Sequence, residues 1–280
     1  MEWPDLQEQF DIASVKAPWV VKVGKREITD EQFNHWLFSD HIYVGGCGGY
    51  VCRMLTDLEK LQKDPKWTNV ESKYGPIVND LHSLLSGCYI VVQNEMVKFE
   101  EIGEKRQIKM SELERLDPNP IAQHEKNLAN SATLLSELKT LSSHGSEKIH
   151  PPVWEYIDFM MKTSENSKLD IRTLVAGMWV LEKVYKEAMF YISAERKKNI
   201  NSPTAVPETI EGVGIDSMIS WWAKPEFEQF VEQLGVLANK FNKVQFDGES
   251  TEHFEDVKKQ TKAFAEQLLE MEKKFWPVLE

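Results

Sequence analysis

Residues Thr29–Leu61, TDEQFNHWLFSDHIYVGGCGGYVCRMLTDLEKL, decide the fold class. Phe33, Trp36, Leu37, Tyr43, Val44, Cys47, Tyr50, Val51, Met54, Leu55 and Leu58 recur every three or four positions. That spacing is one face of a helix turned to a core. Thr29 with Gln32 three residues on is the pattern of a capping box, which satisfies two amides at a helix start. One long helix is predicted. Asp40 falls on its apolar face, between Leu37 and Val44. An unpaired carboxylate in that position is costly or has its pKa driven upward. The glycine-rich run at 45–49 is the second irregularity, since glycine costs about 1 kcal/mol against alanine in a helix. It predicts close helix approach or a kink, or else room for a ligand beside Asp40 and Tyr43.

The same periodicity extends along most of the chain. Residues 4–16 predict a short helix. Residues 17–28 alternate briefly and turn at Gly24, which predicts a short strand or an extended lead-in. Gly75-Pro76 opens a second long helix to about Arg106, and Glu95 interrupts its apolar line as Asp40 does the first. Further helices are predicted from Pro151 to about Thr163, Leu169 to about Arg196, around 216–222, from Pro225 to about Val244, and from Thr251 to Pro277. Glu182 lies on the stripe of the helix after Leu169, and Glu272 beside the last stripe. Polar loops are expected at 66–74 and 199–214. Residues 107–148 hold the turn Asp117-Pro118-Asn119-Pro120 and one leucine-bearing helical pattern. They read as an accessory insert too small to bury a core of its own. No strand set, βαβ alternation or fixed-period repeat occurs, so an all-α, multi-helical bundle follows.

Composition narrows the function. A net charge of -12 disfavours nucleic acid and anionic membrane surfaces. Arg196-Lys197-Lys198 is short enough to be a solvated helix end. No apolar run reaches membrane-spanning length, and the acidic N-terminus lacks the pattern of a signal peptide. The 3 cysteines, Cys47, Cys52 and Cys88, form no metal or disulfide framework. Reduced, buried thiols in an intracellular, cytoplasmic protein are expected.

The chemistry-bearing set is Asp40, Glu95, Glu182 and Glu272, one acid on each of four long helices. If the four stripes share a core, the acids converge there with Tyr43, Trp179, Trp222 and Phe275. Two plainer arrangements compete: acids at stripe edges reaching solvent, and acids buried in ion pairs with Arg172 or Lys183. The Glu-x-x-His pairs of di-iron bundles are absent, so no metal or cofactor is expected. Carboxylates bind amino groups and protonated ring nitrogens, and aromatic faces stack on planar heterocycles. Crowded acids have their pKa values pushed apart, so that one donates a proton while another accepts. The set therefore suits acid–base hydrolysis of an amine-bearing heterocycle.

These residues resemble the TenA/thiaminase II family, whose fold is heme-oxygenase-like. The family's early helix runs roughly F-x-x-W/Y-L-x-Q-D-x-x-Y/F-V. Here Phe33, Trp36, Leu37, Asp40, Tyr43 and Val44 fill that pattern, with Ser39 replacing the glutamine and His41 an aromatic. Trp179, Glu182 and Tyr185 are similar to a second family helix, Trp222 to Phe227 to its W-x-x-x-x-F segment, and Glu272-Lys273-Lys274-Phe275-Trp276 to its E-x-x-F-W ending. A family tyrosine falls near 153–156, at Val153, Trp154 or Tyr156. One family branch carries an active-site cysteine where this chain has Gly177. The other, the TenA_E type, carries glutamates, and Glu182 fits it. The resemblance covers roughly 17–105 and 150–278. It implies a single domain over 1–280 with the insert at 107–148, and a homo-oligomer. It also implies a metal-independent hydrolase acting on aminomethyl- or formylaminomethyl-pyrimidine in thiamin salvage. In the implied roles Asp40 binds the pyrimidine edge, and Tyr43, Trp222 and Phe275 frame the ring. Glu272 is the catalytic acid, Glu182 its partner in catalysis, and Glu95 a further pocket acid. The alternatives are a noncatalytic pyrimidine-binding or regulatory protein and a metal-dependent oxygenase on the same fold.

Overall fold

The structure, a computed structural model, describes residues 3–64, 74–108, 151–166, 168–207 and 213–278. Most of the predicted insert, most of the 66–74 loop and part of the 199–214 loop lie outside the described residues. Every regular element within them is helical. After a 3-10 turn at Pro4–Leu6 come α1 (Gln7–Ala13), α2 (Pro18–Gly24), α3 (Asp30–Lys63) and α4 (Gly75–Lys105). Then follow α5 (Pro151–Glu165), α6 (Ile171–Lys198), α7 (Ile215–Trp222), α8 (Pro225–Phe241) and α9 (Thr251–Phe275).

Local chemistry sets the helix starts. Pro18, Pro76 and Pro225 stand in first turns, where the missing amide does no harm. The capping box at α3 is complete: Gln32 N donates to Thr29 Oγ1 at 3.1 Å, and Thr29 N donates to Gln32 Oε1 at 2.9 Å. Asp170 caps α6 and Ser250 caps α9 through their side chains.

One expectation is overturned at 17–28, where α2 replaces the strand or extended lead-in. Trp19, Val20 and Val23 fit a helical period as well as an alternating one over so short a window. Packing decides: these side chains are fully buried, and α2 lies against α6.

Two groups of helices share one apolar core. In one, α4 and α5 flank α3; in the other, α9, α8, α2 and α7 surround α6. Contacts of α4 with α8, α5 with α9 and α3 with α6 join the groups. The middle of α3 is therefore not striped. Residues 36–48 are buried on every side, the condition of a helix wrapped by neighbours. The helix runs unbroken through the glycines. A Cβ on Gly46 would sit 3.3 Å from Met160 Cε and 3.5 Å from Ile157, so at this position the run serves close approach by α5.

Arg172 and Arg196 are among the arginines buried with partners. Arg172 donates to Asp170, to Glu249 and to the Val244 carbonyl. Arg196 donates to Asp216 at 2.6 Å and to the Val23 carbonyl at 3.0 Å. The predicted solvated helix end therefore applies to Lys197 and Lys198 but not to Arg196.

Candidate active site

A cavity of about 920 Å³ opens between α3, α4, α6, α7 and α8. Its inner end is walled by Tyr43 and Cys47 of α3, Cys88 and Glu95 of α4, Glu182 and Tyr185 of α6, and Trp222 of α7. Four of the predicted site residues, Tyr43, Glu95, Glu182 and Trp222, thus face one space. Glu95 and Glu182 keep part of their surface open to it.

The other three, Asp40, Glu272 and Phe275, are closed off one layer behind. Two tyrosines make the connection. Tyr185 on the cavity wall donates to Asp40 Oδ2 at 2.9 Å. Tyr43 on the wall donates to Glu272 Oε1 at 3.3 Å. Tyr156 of α5 donates a further short bond to the same Glu272 oxygen. Asp40 Oδ1 has no hydrogen-bond partner among the described residues. Phe275 packs its ring 4.9 Å from that of Tyr43. Trp222 orients Glu95, its Nε1 donating to Oε1 at 2.8 Å.

Electrostatics follow from this burial. Among the described residues none of the four acids forms an ion pair: Arg172 is taken by Asp170 and Glu249, and Lys183 by Glu187. The buried ion-pair arrangement is thereby removed. Desolvation pushes Glu182 up to about 8, with Glu95 and Glu272 adding repulsion. Glu95 rises to about 7, also by desolvation, against the opposing Trp222 bond and Lys224. Glu272 rises to about 7, with the tyrosine bonds restraining it. Asp40 is pushed well up by burial, against the Tyr185 bond. At neutral pH the cluster holds both protonated and ionised carboxyls, so donor and acceptor coexist.

Some sequence expectations fall elsewhere. Trp179 leaves the acid cluster and packs against Trp3, Phe10 and Gly235. Gly177 does not face the cavity: a Cβ there would meet Phe264 Cε1 at 2.5 Å and the Tyr50 hydroxyl at 2.7 Å. His41 turns toward Phe99, with neither ring nitrogen hydrogen-bonded among the described residues and its pKa lowered to about 4 by burial. Cys47 and Cys88 line the cavity, but burial raises both thiols well above their ordinary range, so neither is a ready thiolate. The roles of Tyr156 and Tyr185 escaped sequence reasoning. The helical spacing of Tyr185 after Glu182 was the available signal for one, and Tyr156 stood among the three positions offered for the family tyrosine near 153–156.

Metal-ligand spacing occurs among described residues at Asp170, Glu249 and His253, with ligand atoms within 4.8 Å of one another. Arg172 already fills that place, donating to both carboxylates. No described helix is long and apolar enough to cross a membrane.

The geometry can be set beside known proteins. A solved TenA homologue from Pyrococcus furiosus matches with a TM-score of 0.62 over 97% of this chain and 95% of its own, at 14% identity. The fold is TenA-like. No family model matches the sequence. An uncharacterized protein of Schizosaccharomyces pombe is 23% identical over 233 residues, or 82% of this chain and 80% of that protein.

Proposed function

We propose that this chain is an aminopyrimidine hydrolase of the TenA_E type. Its substrate would be an aminomethyl- or formylaminomethyl-pyrimidine from degraded thiamin. The observation carrying this reading is the set of four carboxyls from four helices, none in an ion pair among the described residues and only Glu95 eased by a cation, Lys224, gathered about one aromatic-walled cavity. A ligand bearing amino groups or a protonated ring nitrogen supplies the donors that the site lacks.

The roles follow the layering. Glu95 and Glu182 meet the ligand directly, and Trp222 and Tyr43 frame its ring. Glu182 positions the attacking water or the leaving amine. Glu272 is the proton source for the leaving nitrogen, reaching the cavity through the Tyr43 hydroxyl. Asp40 takes the amino edge on its unpartnered Oδ1 once Tyr185 turns aside. The reading carries no cofactor, a single domain with the insert, and a cytoplasmic homo-oligomer.

The test is product detection by mass spectrometry on amino-, formylamino- and hydroxymethyl-pyrimidines and thiamin. Turnover of an amino or formylamino member is expected, and Glu272→Gln should abolish it while folding persists. Full activity in that variant would refute the assignment. The layering also favours a second reading, a pyrimidine-binding protein without turnover, because Tyr43 and Tyr185 stand between the cavity and two of its acids. Saturable binding with no product from any member of the panel would establish it instead.

A further inference from the structure

The cavity is much larger than one pyrimidine ring with a one-carbon arm. At about 920 Å³ it lies near the top of the range of about 300–1,000 Å³ that holds drug-sized ligands. Its shape is directional. On α4, residues 84, 87, 91 and 95 follow one another at helical spacing and all line it. At 1.5 Å per residue, Gly87 stands about 12 Å from Glu95 along the helix. Leaving the acids, the wall is mainly apolar, with Leu84 and Val91 on α4 and Phe227, Phe230, Val236 and Leu237 on α8, and Ser83, Gln229 and Gln233 among them. Val91 and Val236 are more than half exposed, at 53% and 54%, so this arm opens outward. Gly87 is exposed, and a Cβ built on it meets nothing within 4 Å, so among the described residues this face of α4 borders open space.

Charge says what lies in the channel. Its outer rim carries Asp80, Glu226 and Glu232 against one cation among the described residues, Lys224. That rim repels a phosphate or carboxylate tail. Apolar walls beyond a polar end suit a neutral chain attached to the group that the acids bind.

We infer that the arm between α4 and α8 is an acyl-chain subsite, and that the substrate class is an N-acylaminomethyl heterocycle with an unbranched acyl group longer than formyl. This rests on the hydrolase reading above and adds to it the size and polarity of the acyl group. The heterocycle sits among Glu95, Glu182 and Trp222, and the chain runs outward over Gly87. Leu84, also in the lining, stands about 16 Å from Glu95 along α4; with about 7 Å taken by the heterocycle and its aminomethyl arm, the remainder accommodates roughly seven or eight extended carbons. The reaction is amide hydrolysis. Water oxygen bonds to the carbonyl carbon, the C–N bond breaks, and the leaving nitrogen takes a proton. The products are the aminomethyl heterocycle and a fatty acid.

The experiment is a chain-length series of the N-acylaminomethylpyrimidine (formyl, butyryl, hexanoyl, octanoyl) with the wild-type chain and Gly87→Phe. The Cβ of phenylalanine at 87 meets no neighbour, its ring adds bulk to the arm, and the change replaces a poor helix former with a better one. With the wild-type chain, kcat/KM should rise at least tenfold from formyl to octanoyl. Gly87→Phe should lose at least tenfold on octanoyl and less than twofold on formyl. Formyl turnover with a flat or falling response to chain length overturns the subsite and leaves the hydrolase reading standing. If neither an acyl member nor aminomethylpyrimidine itself turns over, the hydrolase reading falls. The subsite is then judged by calorimetric binding of N-octyl- against N-methyl-aminomethylpyrimidine, amines that carry no acyl bond and that this outcome leaves unturned. At least tenfold tighter octyl binding, lost in Gly87→Phe, supports it, and equal affinities overturn it. A change of oligomeric state in Gly87→Phe also overturns it, because the channel would then be an interface between copies.

Discussion

Replacing Glu182 by glutamine should make the protein more stable and less active at once. Glu182 carries a carboxyl raised from 4.5 to about 8, chiefly by desolvation. For an acid raised on folding, the folded state holds the proton more tightly than the unfolded chain. No penalty exists below the unfolded pKa, where both states are protonated. Stability is lost as pH climbs from 4.5 toward 8 and then levels off. At about 1.4 kcal/mol per pKa unit, the loss is on the order of 3 kcal/mol at pH 7 and under about 1 kcal/mol at pH 5. The carboxyl keeps surface open to the cavity, which discounts the larger figure to about 1.5–3 kcal/mol. Glutamine has nearly the same shape and does not ionise, and among the described residues no hydrogen bond of Glu182 is lost with it. Urea unfolding of both proteins at pH 5 and pH 7 reads the difference. The variant should gain roughly 1.5–3 kcal/mol at pH 7, little at pH 5, and lose turnover. A variant destabilised at pH 7, or a gain equal at both pH values, would refute the account of Glu182 as an uncompensated carboxyl.

Two further predictions concern its neighbours. The Tyr156 bond holds down the pKa of Glu272, so Tyr156→Phe should raise it. With Glu272 as the proton donor, the alkaline limb of the pH–rate profile moves to higher pH, and an unmoved limb removes that role. Gly177→Cys places a Cβ against Phe264, Tyr50 and Leu268. It should cost about 1–3 kcal/mol through overpacking, seen as a lower melting temperature, without creating a thiol-dependent activity.

The helices were legible because long periodic segments and their caps are local properties of the chain. Thr29 with Gln32, Pro76 and Pro225 each marked a start that the structure keeps. The facing of residues was less legible. Residues 36–48 of α3 and 171–181 of α6 are buried all round, and periodicity cannot say which side of such a helix meets a cavity. Asp40 and Glu182 look alike on their stripes, yet Glu182 opens to the cavity while Asp40 lies behind Tyr185. Trp179 shares the α6 stripe with Glu182 and points to Gly235 instead. The layering of acids behind tyrosines arises from α5 and α9 meeting α3, a contact between segments far apart in sequence. Helix α2 was missed because its seven residues are too few to separate two periods.

The indoles beneath the site form a connected raft. Trp19 lies 4.7 Å from Trp36 and 5.4 Å from Trp276, and Trp36 meets Trp222 edge-on at 5.7 Å. Trp276 Nε1 also donates to the Ala13 carbonyl, tying α1 to the raft. Chromophores this close in a fixed asymmetric arrangement give a strong near-ultraviolet circular dichroism band, which loosened packing erases even where helix content survives. The protein thus carries an optical gauge of tertiary order directly under its carboxyl cluster. A variant that loses turnover with that band intact has lost chemistry, whereas one that loses both has lost its core.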